Sequence, residues 1–284
     1  RLDKNGNLKF NEFKKRFCEH FRPHLTRFFN NHLTLDYNEA SLEITNNSEG
    51  KNKLALESAN FQLYQFNKGR FHYSINAKTD LRFHSSISLI CKMVRRHLKY
   101  KGDYLLGIDV KTSQPYFFCS VLKAIILKEK KILDQIGALN LIDEELLYKL
   151  FHEIEIDKTN ICKFADDVLK KDFYSEFSSK IEVDYDGDFL YRDIFIKNSK
   201  NETHKRKFYN NKRDFSKGVL MEVFYGSYKN NSKYVKAFKA EYPSVKLVID
   251  TIKEHGLEFW KLLQQIEAHC ILDVTAKKIN QEFP

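Results

Sequence analysis

Backbone breakers are so scarce in this chain that their positions set its architecture. Only 4 Pro and 10 Gly occur in 284 residues, and no stretch rich in Pro, Gly or Ser supplies a flexible linker between independent domains. One continuous architecture is expected, without internal repeats or low-complexity tracts, and 24 Phe and 15 Tyr are available to fill its core.

Between the breakers, hydrophobic spacing gives a coarse map. Residues 10–33 carry Phe at helical spacings and predict a helix broken at Pro23, whereas the polar, mixed segment 40–66 reads as irregular. Residues 87–100 (ISLICKMVRRHLKY) predict a basic amphipathic helix, Lys101-Gly102-Asp103 a turn, and YLLGID a short buried strand ending at Asp109. Thr112 and Ser113 are candidate N-caps for an apolar helix with Pro115 in its first turn, running from Tyr116 to about Leu127. Segment 131–180 reads as mostly helical and 181–199 as holding a hairpin around Asp186-Gly187. Segment 205–226 reads as a strongly basic helix, and 232–282 as two helices split by Pro243 and Gly256. The sum is an α+β, helix-rich fold.

Lys and Arg number 48 against 38 Asp and Glu, a net charge of +10, which makes a polyanion the first partner to consider. Basic surfaces also occur without nucleic acid, so charge alone leaves the partner open. Cys18, Cys91, Cys119, Cys162 and Cys270 are scattered without a C-x-x-C pair. Neither a zinc site nor a disulfide framework is expected, and a reducing, cytoplasmic setting follows. No apolar run approaches the ~18 residues of a bilayer span, and Arg1 to Phe10 lack a signal-peptide core, so no membrane partner is expected. A start without Met and a stop at Phe283-Pro284 suggest part of a longer protein.

Two constellations carry chemistry. In GIDVKTSQPYFF, Asp109 at a strand end beside a helix start offers hard oxygen to Mg2+, with helix amides favouring phosphate. A lone Asp in that position is also a common cap or turn residue. In the second, Arg213, Lys217, Met221 and Tyr225 are four apart and form one slowly rotating stripe on a helix. The two cations suit phosphate oxygens, and the thioether and phenol suit a sugar and base. A basic amphipathic surface helix with a buried aromatic at its end has the same pattern.

Together these residues resemble the motifs of family A DNA polymerases and of the related bacteriophage-type single-subunit RNA polymerases. The R-x3-K-x7-Y-G run from Arg213 to Gly226 matches motif B, on the O helix of the fingers, without a gap. Asp109 falls in the place of the motif A aspartate, with Gln114 five residues on where family A has Glu. Arg82-Phe-His-Ser85-Ser86 with Leu89 resembles the segment whose arginine reaches the primer–template, and Phe238-Lys-Ala-Glu-Tyr242-Pro243-Ser-Val245 the F-x3-Y-P-x-V after the O helix. Gln264 or Gln265 is the counterpart of the polar Gln preceding motif C. The likeness spans roughly 69–284. Motif C itself, with the second metal-binding Asp, is expected past Pro284; motif A lacks the D-Y-S-Q-I-E wording, the interval from Arg82 to Asp109 is short, and a 3′–5′ exonuclease domain is missing.

What the resemblance implies is a right-hand polymerase core. Residues 1–68 would be a mainly helical thumb-like or accessory region, 69–130 the first part of the palm with motif A, and 131–240 the fingers with the motif B helix at 205–226. Residues 241–284 would return towards the palm. The implied chemistry is nucleotidyl transfer with two Mg2+ (or Mn2+ in their place) about 3.5–4 Å apart. Asp109 and the Val110 carbonyl would be metal ligands, and Arg213 and Lys217 would hold the triphosphate, Lys217 also donating a proton to pyrophosphate. Met221, Tyr225, Gly226 and Gln114 would meet the sugar and base. Arg82, Ser85, Arg95, Arg96, Gln264 and Gln265 would contact primer–template DNA or RNA. A side chain as large as Gln114 should crowd a ribose 2′-hydroxyl and favours DNA synthesis, whereas Met221 matches the RNA enzymes better. An inactive nucleic-acid-binding replication module is the alternative from another class.

Three further patterns are weaker. Residues 1–12 resemble an EF-hand loop around Gly6 with Glu12 in twelfth place, but Arg1 stands where a carboxylate is needed. Asp184, Asp186 and Asp188 alternate as in a solvated hairpin, and His20 and His24 span Pro23 without the Glu of a zinc protease.

Overall fold

The computed structural model describes residues 12–46, 53–76, 79–198 and 201–282, so the EF-hand-like loop lies outside the described residues. The fold is α+β and helix-rich with small sheets. It divides into two compact units, Arg1–Val110 with Ala268–Pro284, and Lys111–Glu267, in place of the single architecture expected. One crossing falls within a run of helix, so no linker composition advertises it.

In the first unit, α1 (Glu12–Phe21) and α2 (Pro23–Thr26) break at Pro23 as expected, because proline has no N–H for the preceding turn. Strand β1 (Leu33–Leu35) follows. The segment read as irregular is helical instead, as α3 (Tyr37–Asn46) and α4 (Lys53–Asn67). Its signal is the i, i+4, i+7 set Ala59, Leu63 and Phe66, which is the buried face of an otherwise polar α4. Strands β2 (Tyr73–Ile75) and β3 (Phe83–Ser85) pair antiparallel with Tyr73 opposite Ser85.

The helix expected over 87–100 is not continuous. It is α5 (Ser86–Leu89), α6 (Lys92–Arg95) and then strand β4 (Leu98–Tyr100), paired with β1. Ile90, Val94 and Leu98, four apart, all enter the core formed with Leu33, Ile44 and Leu63. The chain reaches that core with extended backbone at Ile90 and again at Leu98, so tertiary burial overrides the apparent period. Lys101-Gly102 forms the expected turn, both at positive φ, into β5 (Asp103–Tyr104). There the strand stops: Leu106 and Ile108 are 87% and 89% exposed, so YLLGID is not a buried strand.

The C-terminal helix (Ala276–Glu282) and the π-helical turn before it belong to this unit. Arg22 grips Asp273 with two bonds of 2.6 and 2.9 Å and donates to the Leu81 carbonyl at 2.6 Å. Arg27 reaches Asn280 at 2.6 Å.

The second unit opens with the apolar α7 (Ser113–Leu127), then α8 (Lys130–Gln135), α9 (Glu144–Tyr148), α10 (Lys158–Lys170) and α11 (Phe173–Ser178), in keeping with the helical reading of 131–180. Strands β6 (Asp184–Asp186) and β7 (Phe189–Asn198) turn at Gly187, whose φ of 58° suits a two-residue hairpin. Residues 205–209, expected as the start of a helix, belong instead to strand β8 (Asn201–Tyr209), in register with β7 from Asn198↔Asn201 to Leu190↔Tyr209. A run of Lys and Arg carries no apolar period, so only the pairing decides.

The helix begins at Lys212 as α12 (Lys212–Tyr225), capped by the Asn211 side chain, which accepts from Asp214 N at 2.8 Å. It is followed by α13 (Lys233–Glu241), α14 (Pro243–Glu254) and α15 (Phe259–Ala268), broken at Pro243 and Gly256 as expected but into three helices. The core is aromatic: Phe118 meets Phe259 edge-on at 4.8 Å, Phe164 meets Phe173 and Tyr242 at 5.2 Å each, and the Tyr242 hydroxyl donates to buried Asp167 at 2.9 Å.

Candidate functional site

α12 buries Phe215, Ser216, Val219, Leu220, Val223 and Phe224, pairs of neighbours one turn apart. That leaves Arg213, Lys217, Met221 and Tyr225 on the remaining face, each at least partly exposed, as the four-residue spacing requires.

At the helix start, Arg213 Nε donates to Asp172 Oδ2 at 2.7 Å, and the guanidinium lies 5.3 Å from the Tyr174 ring centre. The Lys217 ammonium is 5.9 Å from the same ring. Tyr174 is therefore a buried aromatic platform beneath both cations, and its burial raises its own hydroxyl pKa against the pull of Arg213. Burial pushes Asp172 up, yet its bonds from Arg213 and Ser175 and the charges of Arg213 and Lys111 hold it below the usual carboxylate range. The pair fixes Arg213 through Nε and leaves its two terminal nitrogens without a protein hydrogen bond among the described residues. That is the arrangement of an arginine poised for a bidentate oxyanion.

At the other end, the Tyr225 hydroxyl donates a short hydrogen bond to Oε1 of Gln114, in the first turn of α7. Gln114 is 8% exposed and Tyr225 37%, so the bond joins a buried carboxamide to a ring that still reaches solvent. Residues 111 apart in sequence, expected from the resemblance to meet the same sugar, thus meet inside one unit. Gly226 N donates to the Glu222 carbonyl at 2.8 Å, and a Cβ at Gly226 would collide with that same oxygen. Glycine at this place is a steric requirement of the helix end. The Lys253 ammonium donates to the Val223 and Gly226 carbonyls at 2.7 Å each, and burial, with Lys246 nearby, pushes its pKa down to about 8 against the pull of Asp250.

Between β8 and α12 lies a cleft of about 350 Å³ lined by Lys207, Phe208, Tyr209, Asn210, Asp214, Lys217, Gly218 and Met221. Tyr209 packs so closely on Gly218 that a Cβ there would sit 2.5 Å from the hydroxyl. From the neighbouring strand and on the same face, Arg192 donates to the Gly218 carbonyl at 2.8 Å and to Glu222 at 3.1 Å, tying β7 to α12.

The other expected residues are placed differently. Asp109 is exposed in a segment without regular structure, not at the end of a buried strand, and Val110 is half-buried beside it. Thr112 takes the N-cap position of α7 at positive φ, with no side-chain cap bond. Ser85 is buried and caps α5, its hydroxyl accepting from Ser88 N at 3.2 Å, so it is occupied in holding the chain rather than presented to a ligand. Arg95 donates to the Ser88 and Ile90 carbonyls at 3.2 and 3.0 Å, and Arg96 pairs with Glu43 at 3.1 Å. Arg82 is half-buried, with its own N–H bonded to Asp80 at 3.1 Å. On α15, Gln264 is partly exposed and Gln265 buried. Asp184 pairs with Lys233 at 2.7 Å and Asp186 with Arg206 at 2.7 Å, which makes that acidic run an ion-paired hairpin. Among the described residues no three His, Cys, Asp or Glu side chains converge on a metal position.

Asp172, Tyr174 and Lys253 were not picked out from the sequence, and Lys207 only as part of the basic cluster Lys205-Arg206-Lys207 expected to contact phosphates. Asp172 precedes a Phe and Tyr pair with no motif around it, and Lys253 looks like the other cations of a basic chain. No protein-family model, curated protein or solved structure matches the chain. No helix is long and apolar enough to cross a membrane among the described residues.

Proposed function

We propose that this chain is the nucleotide-binding core of a template-directed DNA polymerase of the family A-like, right-hand type, with the second unit as its fingers. The observation that carries it is the pairing of Tyr225 with Gln114 at the foot of an open Arg213–Lys217–Met221–Tyr225 stripe. Two cations over one aromatic platform suit the oxyanions of a triphosphate, and a phenol locked to a buried carboxamide suits a rigid wall against a sugar. Such a wall excludes a 2′-hydroxyl by sterics, which favours deoxyribonucleotides.

The metal follows from chemistry rather than from a cage. Asp109 is an exposed hard oxygen donor, and Mg2+ commonly takes one or two carboxylates while keeping waters and substrate phosphates. Held there, Mg2+ would supply Lewis-acid stabilisation of phosphoryl charge. Within the second unit, Arg213, oriented by Asp172, and Lys217 hold phosphate oxygens, and Tyr225 with Gln114 orients the sugar.

Primer extension with dNTPs and rNTPs in parallel, on a protein that includes the motif C carboxylate, tests the assignment. Extension with dNTPs, lost in Arg213→Ala and opened to rNTPs by Gln114→Gly, is expected. A preference for rNTPs in the unmodified protein would make it an RNA polymerase. Nucleotide-independent DNA binding without extension would leave a non-catalytic replication module.

A further inference from the structure

We infer that Lys207, carried to α12 by the β7–β8 ribbon, completes a phosphate-binding cleft with Lys217, an element that the R-x3-K-x7-Y-G motif does not contain. This deepens the proposed function and rests on α12 being the nucleotide-binding helix. Lys207 and Lys217 line the same 350 Å³ cleft from opposite sides, one from a strand and one from a helix.

Carboxylate partners are common in this unit: Lys163, Lys170, Lys171, Lys233, Lys246, Arg192, Arg206 and Arg213 each have one within 4.0 Å. Neither Lys207 nor Lys217 has one among the described residues; their ammonium groups lie only against aromatic rings, Tyr209 at 5.2 Å and Tyr174 at 5.9 Å. The one acid of the cleft, Asp214, is engaged by Asn211 at 3.0 Å. Two lysines without an ion-pair partner among the described residues line this cleft and Asp214 offsets only part of their charge, so the cleft favours an anion, and a phosphate offers several oxygens to flexible ammonium groups.

Position is secured by the fold. Register Arg192↔Lys207 and Leu190↔Tyr209 puts Lys207 and Tyr209 on the ribbon face that packs against Gly218, so the lysine is delivered to the helix and not to the ribbon's outer face. The phosphate can come from a nucleoside triphosphate or from a nucleic-acid backbone, and the two are separable by experiment.

The test uses the intact chain and calorimetric titration with tripolyphosphate, with dATP and Mg2+, and with a 5′-hydroxyl dT12 oligonucleotide. Lys207→Gln should weaken tripolyphosphate and dATP binding about tenfold or more, as loss of a charge-assisted bond does, while Lys207→Arg restores much of it. Lys236→Gln, an exposed lysine on α13 outside the cleft, controls for net charge and should change binding less than twofold. A loss confined to dT12 identifies a backbone phosphate as the occupant and keeps the subsite. Lys217→Gln weakening dATP while Lys207→Gln binds like the unmodified chain overturns the role of Lys207 and leaves the nucleotide site standing. No binding of dATP or tripolyphosphate at millimolar concentration overturns both.

Discussion

The hydrogen bond from Tyr225 to Gln114 makes the sharpest demand on measurement, because it joins the two motif positions through a single pair of atoms. Tyr225→Phe removes the donor and leaves the Gln114 oxygen buried, since Gln114 is only 8% exposed. An unsatisfied buried acceptor costs about 1–3 kcal/mol, and because Tyr225 is 37% exposed and water can partly reach the gap, the low end applies, ~1 kcal/mol. Gln114→Met keeps the length and loses the acceptor, costing about 1 kcal/mol or less because the partly exposed Tyr225 hydroxyl can turn to water. The double variant removes both needs together, so its destabilisation should fall short of the sum by ~1 kcal/mol. Trp260, the only tryptophan, lies in the same unit, and its fluorescence through urea unfolding reports the stability of that unit. Strict additivity within about 0.3 kcal/mol would mean that the bond contributes nothing, and the two motif positions would have to be regarded as neighbours without coupling.

Other perturbations have signs set by the structure. Asp273→Ala leaves Arg22, 4% exposed, without its carboxylate; a loss of about 2–3 kcal/mol in urea unfolding followed by far-UV circular dichroism is expected, towards the lower part of the range for a broken buried pair because Asp273 is partly exposed, and a loss under about 0.5 kcal/mol would contradict the burial. Lys253, with a folded pKa of about 8 against 10.5, binds fewer protons folded than unfolded between those values, so stability from this group rises with pH over that window by at most ~3 kcal/mol. Lys253→Met should remove that rise, and parallel pH profiles for the two proteins would refute it. Asp109→Asn, at an exposed position, should leave the unfolding midpoint unchanged while abolishing nucleotide addition by a protein containing motif C; full activity would remove Asp109 from the site.

The sequence by itself determined the breaks at Pro23, Lys101-Gly102, Gly187, Pro243 and Gly256, because proline and glycine act through their own backbone and need no partner. It also determined the open stripe on α12, since a four-residue spacing within one helix keeps its side chains on adjoining faces wherever that helix packs. Where an element depended on what lay across from it, the spacing misled. Ile90, Val94 and Leu98 share one core but belong to a loop, a short helix and a strand, and Asn201–Tyr209 became a strand because β7 offered nine matching partners. Leu105, Leu106 and Ile108 look like a buried strand in isolation, yet after the single bond from Leu105 N to the Leu98 carbonyl no strand among the described residues pairs with Leu106 or Ile108, and they stay exposed. The same division holds for the site. Arg213, Lys217, Tyr225 and Gln114 carried their own motif spacing, whereas Asp172, Tyr174 and Lys207 reach α12 only through the packing of α11 and the register of β8. Such contacts are fixed by three-dimensional proximity and leave no period in the chain.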